Sequence, residues 1–155
     1  MDFNISKPTL SDIATMRNLI LPEVQKGIIL DRSEDEMANS IRSYNIVREN
    51  TSDNIIAFAS LHIHSLTLGE VRSLIVSPNY RRRGIATMLI KHILNEAKAL
   101  NLKEILTLTY QKDVFSKIGF KEIAKESLPN HKIWADCIKC KKFPLCDEIA
   151  LIKTL

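Results

Sequence analysis

A mixed α+β sandwich around one sheet is the fold class this sequence predicts, and three observations carry it. Segments of two different hydrophobic periods alternate along the chain in the order βααβββαβαβ as far as Ala124, with a last strand at Glu148 to Ile152. Residues 70–100 read as strand, basic glycine turn and helix. Glu70 to Val76 is β-rich and nearly continuously apolar after Ser73, Asn79 to Ala86 holds three consecutive arginines and Gly84, and Ile85, Met88, Leu89, Ile93, Ala97 and Leu100 recur at helical spacing. Just upstream, two alternating segments flank a polar turn, the pattern of an antiparallel hairpin.

In chain order, Asp2 to Ser6 is a short strand with Phe3 and Ile5 set against polar neighbours, and Lys7-Pro8 breaks it. Thr9-x-x-Asp12 resembles a helix-start box before Ile13, Met16 and Ile20, and Pro22 is expected to end or offset that helix. Glu23 to Arg32 reads as a loop with an apolar centre, of the kind that closes over substrates. Ser33-x-x-Glu36 is a capping box opening a second helix with Met37 and Ile41 on its buried face, which fixes Arg32 at the helix entrance. Tyr44 to Glu49 and Ile55 to Ile63 are the hairpin strands, joined by the polar turn Asn50 to Asn54. Thr67-Leu68-Gly69 turns the chain into the central strand. Lys103 to Tyr110 is a further strand, residues 111–118 a short helix, Phe120 to Ala124 a strand and Glu148 to Ile152 the last one.

The 155 residues suit one domain, with a cysteine-containing segment at about 129–147 and no repeat, low-complexity stretch or interdomain linker. Hydrophobic residues at 45% and charged residues at 26% describe an ordinary globular protein. The net charge of +4 could suggest nucleic acid, but the bases concentrate at 72, 81–83, 91 and 139–142, and aromatic residues are not interleaved with them. An anionic cofactor accounts for the bias better, and no nucleic-acid partner is expected. No apolar run approaches the length that spans a bilayer, and the start has no basic leader, so a cytosolic protein is expected. Three cysteines confined to residues 137–146 argue against a disulfide framework.

The glycine turn carries the chemistry. A strand feeding a helix through such a turn points several unbonded N–H groups, and the positive end of the helix dipole, at one place, which is a seat for phosphate. Arg81-x-x-Gly84-x-Ala86 keeps bulky side chains out of that place and surrounds it with cations, without the pattern of a Walker loop or a dinucleotide fingerprint. These residues, after a Val-x-Pro strand end, resemble the acyl-CoA pyrophosphate motif of the GCN5-related N-acetyltransferases, the GNAT family. Val114-Phe115-Ser116-Lys117-Ile118-Gly119-Phe120 is similar to that family's second signature. The resemblance implies a largely antiparallel central sheet flanked by helices and acetyl-CoA as co-substrate. It further implies that backbone groups of Leu74, Ile75 and Val76 meet the pantetheine arm, while Arg81, Arg82, Arg83, Gly84, Ile85, Ala86 and Thr87 hold the pyrophosphate.

Acetyl transfer to an amine needs a neutral amine, a polarised carbonyl and a protonated leaving thiolate. Glu70 occupies the strand position where histone-acetylating members of the family carry a general base, so the resemblance nominates it, against the alternative of a Glu70–Arg72 surface pair. Phe115 stands where many members have the tyrosine that protonates the thiolate. Tyr110 is the nearest alternative, though its place also suits a half-buried sheet tyrosine, and solvent is a further proton source. Gly27 to Ser33, Ile55 to Leu61, Gly69-Glu70-Val71 and Leu106-x-Leu108-Thr109 resemble the acetyltransferase domain of bacterial N-acetylglutamate synthases, which also tends to carry that phenylalanine. Glutamate brings two carboxylates and one amine, and Arg32 and Arg72 are the cations assigned to those carboxylates, the alternative being two exposed arginines.

Cys137-x-x-Cys140 and Cys146, with His131 upstream, have the ligand types of a Cys3His structural zinc site, the alternative being buried thiols. His62 and His64 share a strand face, as metal ligands or as ordinary strand histidines. The expected function is acetyl-CoA-dependent acetylation of glutamate for arginine synthesis. Two rivals remain: a related enzyme acting on another amino acid, a polyamine, an antibiotic or a protein N-terminus, and a non-catalytic CoA-binding module. Open sheet edges in the family often pair, so a homodimer is a further expectation.

Overall fold

Seven strands form one sheet in the order β1-β2-β3-β4-β5-β7-β6. They are β1 (Phe3–Ser6), β2 (Tyr44–Glu49), β3 (Ile55–Ile63), β4 (Leu68–Val76), β5 (Glu104–Thr109), β6 (Lys121–Ile123) and β7 (Ile149–Thr154). The structure, a computed structural model, describes residues 2–129 and 148–155. His131, Cys137, Cys140 and Cys146 lie outside the described residues. Neighbouring strands are antiparallel except β4 and β5, which run parallel because the helix α3 (Ile85–Ala99) carries the chain back between them. The mixed, largely antiparallel sheet expected from the sequence is therefore present.

Strand alternation sends side chains to two cores. Ala57, Ala59 and Leu61 of β3 and Val71 of β4 pack with Ile85, Leu89, Ile90 and Ile93 of α3, and with Phe115 of α4 (Lys112–Ile118). On the opposite face Phe58, Tyr44, Ile46 and Ile75 pack with Ile13, Met16 and Ile20 of α1 (Ile13–Gln25) and Met37 of α2 (Glu34–Asn39). Each fully buried aliphatic side chain contributes roughly 1.5–3 kcal/mol, so these two clusters fix which sheet face meets which helices. Among the described residues no helix is long and apolar enough to cross a membrane.

Three sequence expectations are corrected at helix ends. Pro22 does not end α1: it sits inside the helix, removing only its own donor, and α1 runs on to Gln25. The stop is Gly27, whose φ of 74° lets its N–H reach the Val24 carbonyl and the Ile28 N–H reach that of Glu23. Glu23 to Gln25 is thus helix rather than loop. Ile41 is not on α2, which closes at Asn39; it is half-buried in the 3-10 turn that follows and packs against the α1/α2 core. Leu100 is not a core residue but a 52% exposed helix cap. Asn101, at φ 65°, reverses the chain there, and the Leu102 N–H bonds the Ala97 carbonyl, so Leu102 takes the buried place instead.

Candidate functional site

The site grows out of β4. Its ladder with β5 consists of Leu68–Glu104, Gly69–Ile105 and Glu70–Leu106, after which β5 continues with β7 alone. The two parallel strands splay beyond Glu70. At the crotch the Thr107 hydroxyl donates to the Val71 carbonyl at 3.2 Å. From there on, the β5-facing edge of β4 carries no ladder among the described residues, leaving its main chain open to an extended ligand.

A bulge shapes the same strand. Opposite β3, Arg72 pairs with Ser60 and Ile75 with Phe58, so residues 73 and 74 face the single residue Ala59, and Ser73 adopts φ 57°. The extra residue inverts the alternation. Glu70, Arg72 and Ile75 share the α1/α2 face, while Val71, Leu74 and Val76 face α3. Glu70 and Arg72 remain together because the bulge begins after them.

Where β4 ends, Gly84 caps α3 in the left-handed conformation, at φ 78° and ψ 10°. A Cβ placed there would meet nothing within 4 Å, so the main chain borders open space. The first intrahelical bond is donated by Met88 to the Gly84 carbonyl, leaving the amides of Ile85, Ala86 and Thr87 with no partner inside the helix. Fifteen residues of aligned dipole stand behind them. The three arginines divide their labour. Arg81 Nε donates to the Val76 carbonyl at 3.0 Å and its guanidinium lies 3.6 Å from Glu23, bracing the turn. Arg83 lies over the Tyr80 ring at 5.2 Å, and Arg82 takes a left-handed φ of 64°. Open space, converging amides and cations fit a pyrophosphate.

Beside the splay, on the α1/α2 face, lies a cavity of about 260 Å3 lined by Arg32, Glu36, Asn39, Ser40, Tyr44, Ser60, His62 and Arg72. Its volume is that of several waters, enough for a molecule of amino-acid size. Strand register builds its floor: Tyr44, Ser60 and Arg72 form one row across three strands, and His62 and Glu70 form the next. The start of α2, with Arg32 before its Ser33–Glu36 capping box, forms the wall. Thus Arg32 and Arg72, 40 positions apart in the chain, line one cavity. Burial pushes the Tyr44 phenol above its ordinary pKa, against the pull of Arg32, its Ser40 hydrogen bond and Arg72, so it stays a neutral hydrogen-bonding group.

The alternative of a Glu70–Arg72 surface pair is corrected: the two do pair, but inside the protein. Glu70 is 2% exposed and the Arg72 side chain 10%, and Arg72 Nε donates to Glu70 Oε1 at 3.1 Å. The same oxygen is 2.8 Å from His64 Nε2. This buried hydrogen bond accounts for His64, which lies just past β3, and the His62 ring meets the His64 ring edge-on with centroids 4.8 Å apart. No cluster of three metal-ligating side chains occurs among the described residues. Phe115 is buried against Phe120, whereas Tyr110 is exposed beyond the end of β5 rather than half-buried in the sheet. Tyr44, Ser60, Glu36 and Asn39 were not nominated from sequence. The strand parity of Tyr44 and Ser60 against Arg72 is the signal that could have found them.

This layout defines a class first: a protein with a seat for a long anionic molecule along an open strand edge and a small polar cavity beside it. The family follows from sequence. The model of the acetyltransferase (GNAT) family matches residues 13–120, and the chain belongs to that family; it is an acetyl-CoA-dependent N-acetyltransferase. An uncharacterised N-acetyltransferase of Chlorobaculum tepidum is 30% identical over 154 residues, covering 99% of this chain and 97% of that protein. An amino-acid acetyltransferase of Yersinia enterocolitica is 30% identical over 131 residues, covering 83% of this chain and 29% of its own length, so this chain spans less than a third of that enzyme. Among solved structures, the N-acetylglutamate synthase of Neisseria gonorrhoeae, complexed with coenzyme A and N-acetylglutamate, superposes with a TM-score of 0.87 at 23% identity, over 99% of this chain and 35% of that one. A Mycobacterium tuberculosis protein in complex with CoA superposes at 0.83 with 18% identity, over 98% and 99% of the two chains. At these identities the two structures establish the shared fold.

Proposed function

We propose that this protein transfers an acetyl group from acetyl-CoA to the α-amine of glutamate, making N-acetylglutamate. The observation that carries the reading is the placement of Arg32 and Arg72 in one amino-acid-sized cavity beside the open edge of β4. Two forked cations suit a substrate with two carboxylates, and the neutral Tyr44 hydroxyl adds a further hydrogen-bonding group. The names of the Yersinia and Neisseria relatives support the choice of acceptor. The bound donor supplies a thioester carbonyl open to attack. In this reading the β4 edge at Leu74, Ile75 and Val76 bonds the donor's extended arm, and the amides from Gly84 to Thr87 receive its pyrophosphate, with charge from Arg82 and Arg83. Arg81 serves through its main chain, its side chain being committed to the turn. Glu70 is the carboxylate whose negative charge draws the ammonium proton away. The product belongs to arginine synthesis in the cytoplasm.

Substitution at the two arginines tests the acceptor. A charge-assisted hydrogen bond contributes about 1.5–3 kcal/mol, so Arg32→Gln and Arg72→Lys should each raise KM for glutamate by about ten- to a hundredfold. KM for acetyl-CoA should not move. Unchanged glutamate KM in both variants would overturn the assignment.

A further inference from the structure

We propose that His62 is the group that takes the proton from the substrate ammonium, with Glu70 acting behind it. The inference rests on the acetyl-transfer reading above and concerns the path of one proton within it. Glu70 is 2% exposed, does not line the cavity, and offers its Oε1 to both His64 Nε2 at 2.8 Å and Arg72 Nε at 3.1 Å. An amine in the cavity therefore meets the residues in front of Glu70 before it meets Glu70. Two cavity-lining side chains neighbour Glu70, namely Arg72 and His62; the guanidinium cannot accept a proton, and His62, the direct cross-strand partner of Glu70, can. Across an antiparallel pair such partners stand side by side on one face.

The surroundings suit a base that is charged only transiently. His62 is flanked by Arg72 from β4, Arg32 and Glu36 from the α2 side, Tyr44 from β2, and His64 from the end of its own strand, with Glu70 opposite. Arg32 and Arg72 disfavour a resident second charge on the imidazole, whereas Glu70 stabilises the imidazolium once the proton arrives. His64 is the positioning residue: its ring, held by Glu70, packs edge-on against that of His62 and fixes the ring's tilt.

The step balances as follows. The ammonium N–H bond breaks and its proton goes to an imidazole nitrogen of His62, leaving the nitrogen lone pair free. That pair forms the C–N bond to the thioester carbonyl carbon as the C–S bond breaks. The second N–H proton goes to the departing sulfur, and His62 gives the first to solvent through the cavity mouth. One proton is released per amide formed.

The test is the pH profile of kcat for CoA release, with glutamate as acceptor, for the wild type, His62→Gln and His64→Gln, alongside calorimetric binding of CoA to each. Positioned acid–base groups contribute on the order of 10²–10⁴-fold, so His62→Gln should lower kcat by that factor and abolish an acidic limb in the histidine range, with CoA affinity retained. His64→Gln should keep the limb and lose less rate. A His62→Gln enzyme that binds CoA and retains the wild-type limb and kcat overturns the proposal while leaving the acetyl-transfer reading intact. A wild type that binds CoA and turns over no glutamate overturns the reading and the proposal with it.

Discussion

The two halves of the site are built from different materials. The anion seat at residues 81–87 is made of main chain: amides at a helix start, a glycine whose φ of 78° other residues resist, and open space above it. The cavity proposed for the acceptor is made of side chains from four separate segments, at residues 32–40, 44, 60–62 and 72, brought together by strand register and by one capping box. A main-chain site depends on a local spacing and tolerates little change in it. A side-chain site depends on tertiary placement, and each of its members can be exchanged to suit another acceptor. One scaffold can thereby keep its donor and vary its substrate.

Substitutions should separate the two kinds of construction. The largest effect is expected at Arg72→Met, which leaves Glu70 buried without its cation; the loss should be about 3–5 kcal/mol, read as a fall in Tm. That is a large share of an ordinary domain's stability, so the cavity floor is also a structural element. Gly84→Val comes next. The left-handed backbone costs a branched residue about 1–2 kcal/mol, and its side chain enters the space assigned to pyrophosphate, so CoA affinity measured by calorimetry should fall at least tenfold while glutamate KM is spared.

Asp12→Asn probes neither half. Burial alone would raise the Asp12 pKa, but the Thr9 N–H and the Arg48 guanidinium at 2.9 Å hold it below its ordinary value. A depressed carboxylate contributes stability above the unfolded pKa of about 4, and the contribution is lost as pH falls through the folded value. The variant should therefore be less stable by about 1 kcal/mol at pH 7, with the gap closing below about pH 4 in denaturant titrations and kcat unchanged. Smallest of all, Arg82→Ala should weaken CoA binding only a few-fold, and less at high salt, because the residue is exposed and its charge is screened.

The same contrast governs what could be read from the chain alone. Gly84, Ala86 and the arginines announce the anion seat within six residues, and the Ser33–Glu36 box announces the place of Arg32, because both are local patterns. The sheet followed from periodicity for the same reason. Pro22 misled because one missing donor is weaker than the reversal that Gly27 permits two residues past the helix. Tyr44 and Ser60 escaped notice, and His62 was read only as a metal ligand or an ordinary strand histidine, because nothing local marks them as cavity residues. Their meaning comes from being opposite Arg72 and Glu70 on neighbouring strands, and the burial that makes Glu70 and Arg72 an internal pair is likewise a property of the whole fold.

The most direct measurement is CoA release from acetyl-CoA in the presence of each of the twenty amino acids, with glutamate and its two monocarboxylate analogues, glutamine and γ-aminobutyrate, side by side. The account predicts turnover that is strongest with glutamate and falls when either carboxylate is removed. CoA binding without turnover of any amino acid would contradict it, leaving the anion seat in place and the cavity without the acceptor proposed for it.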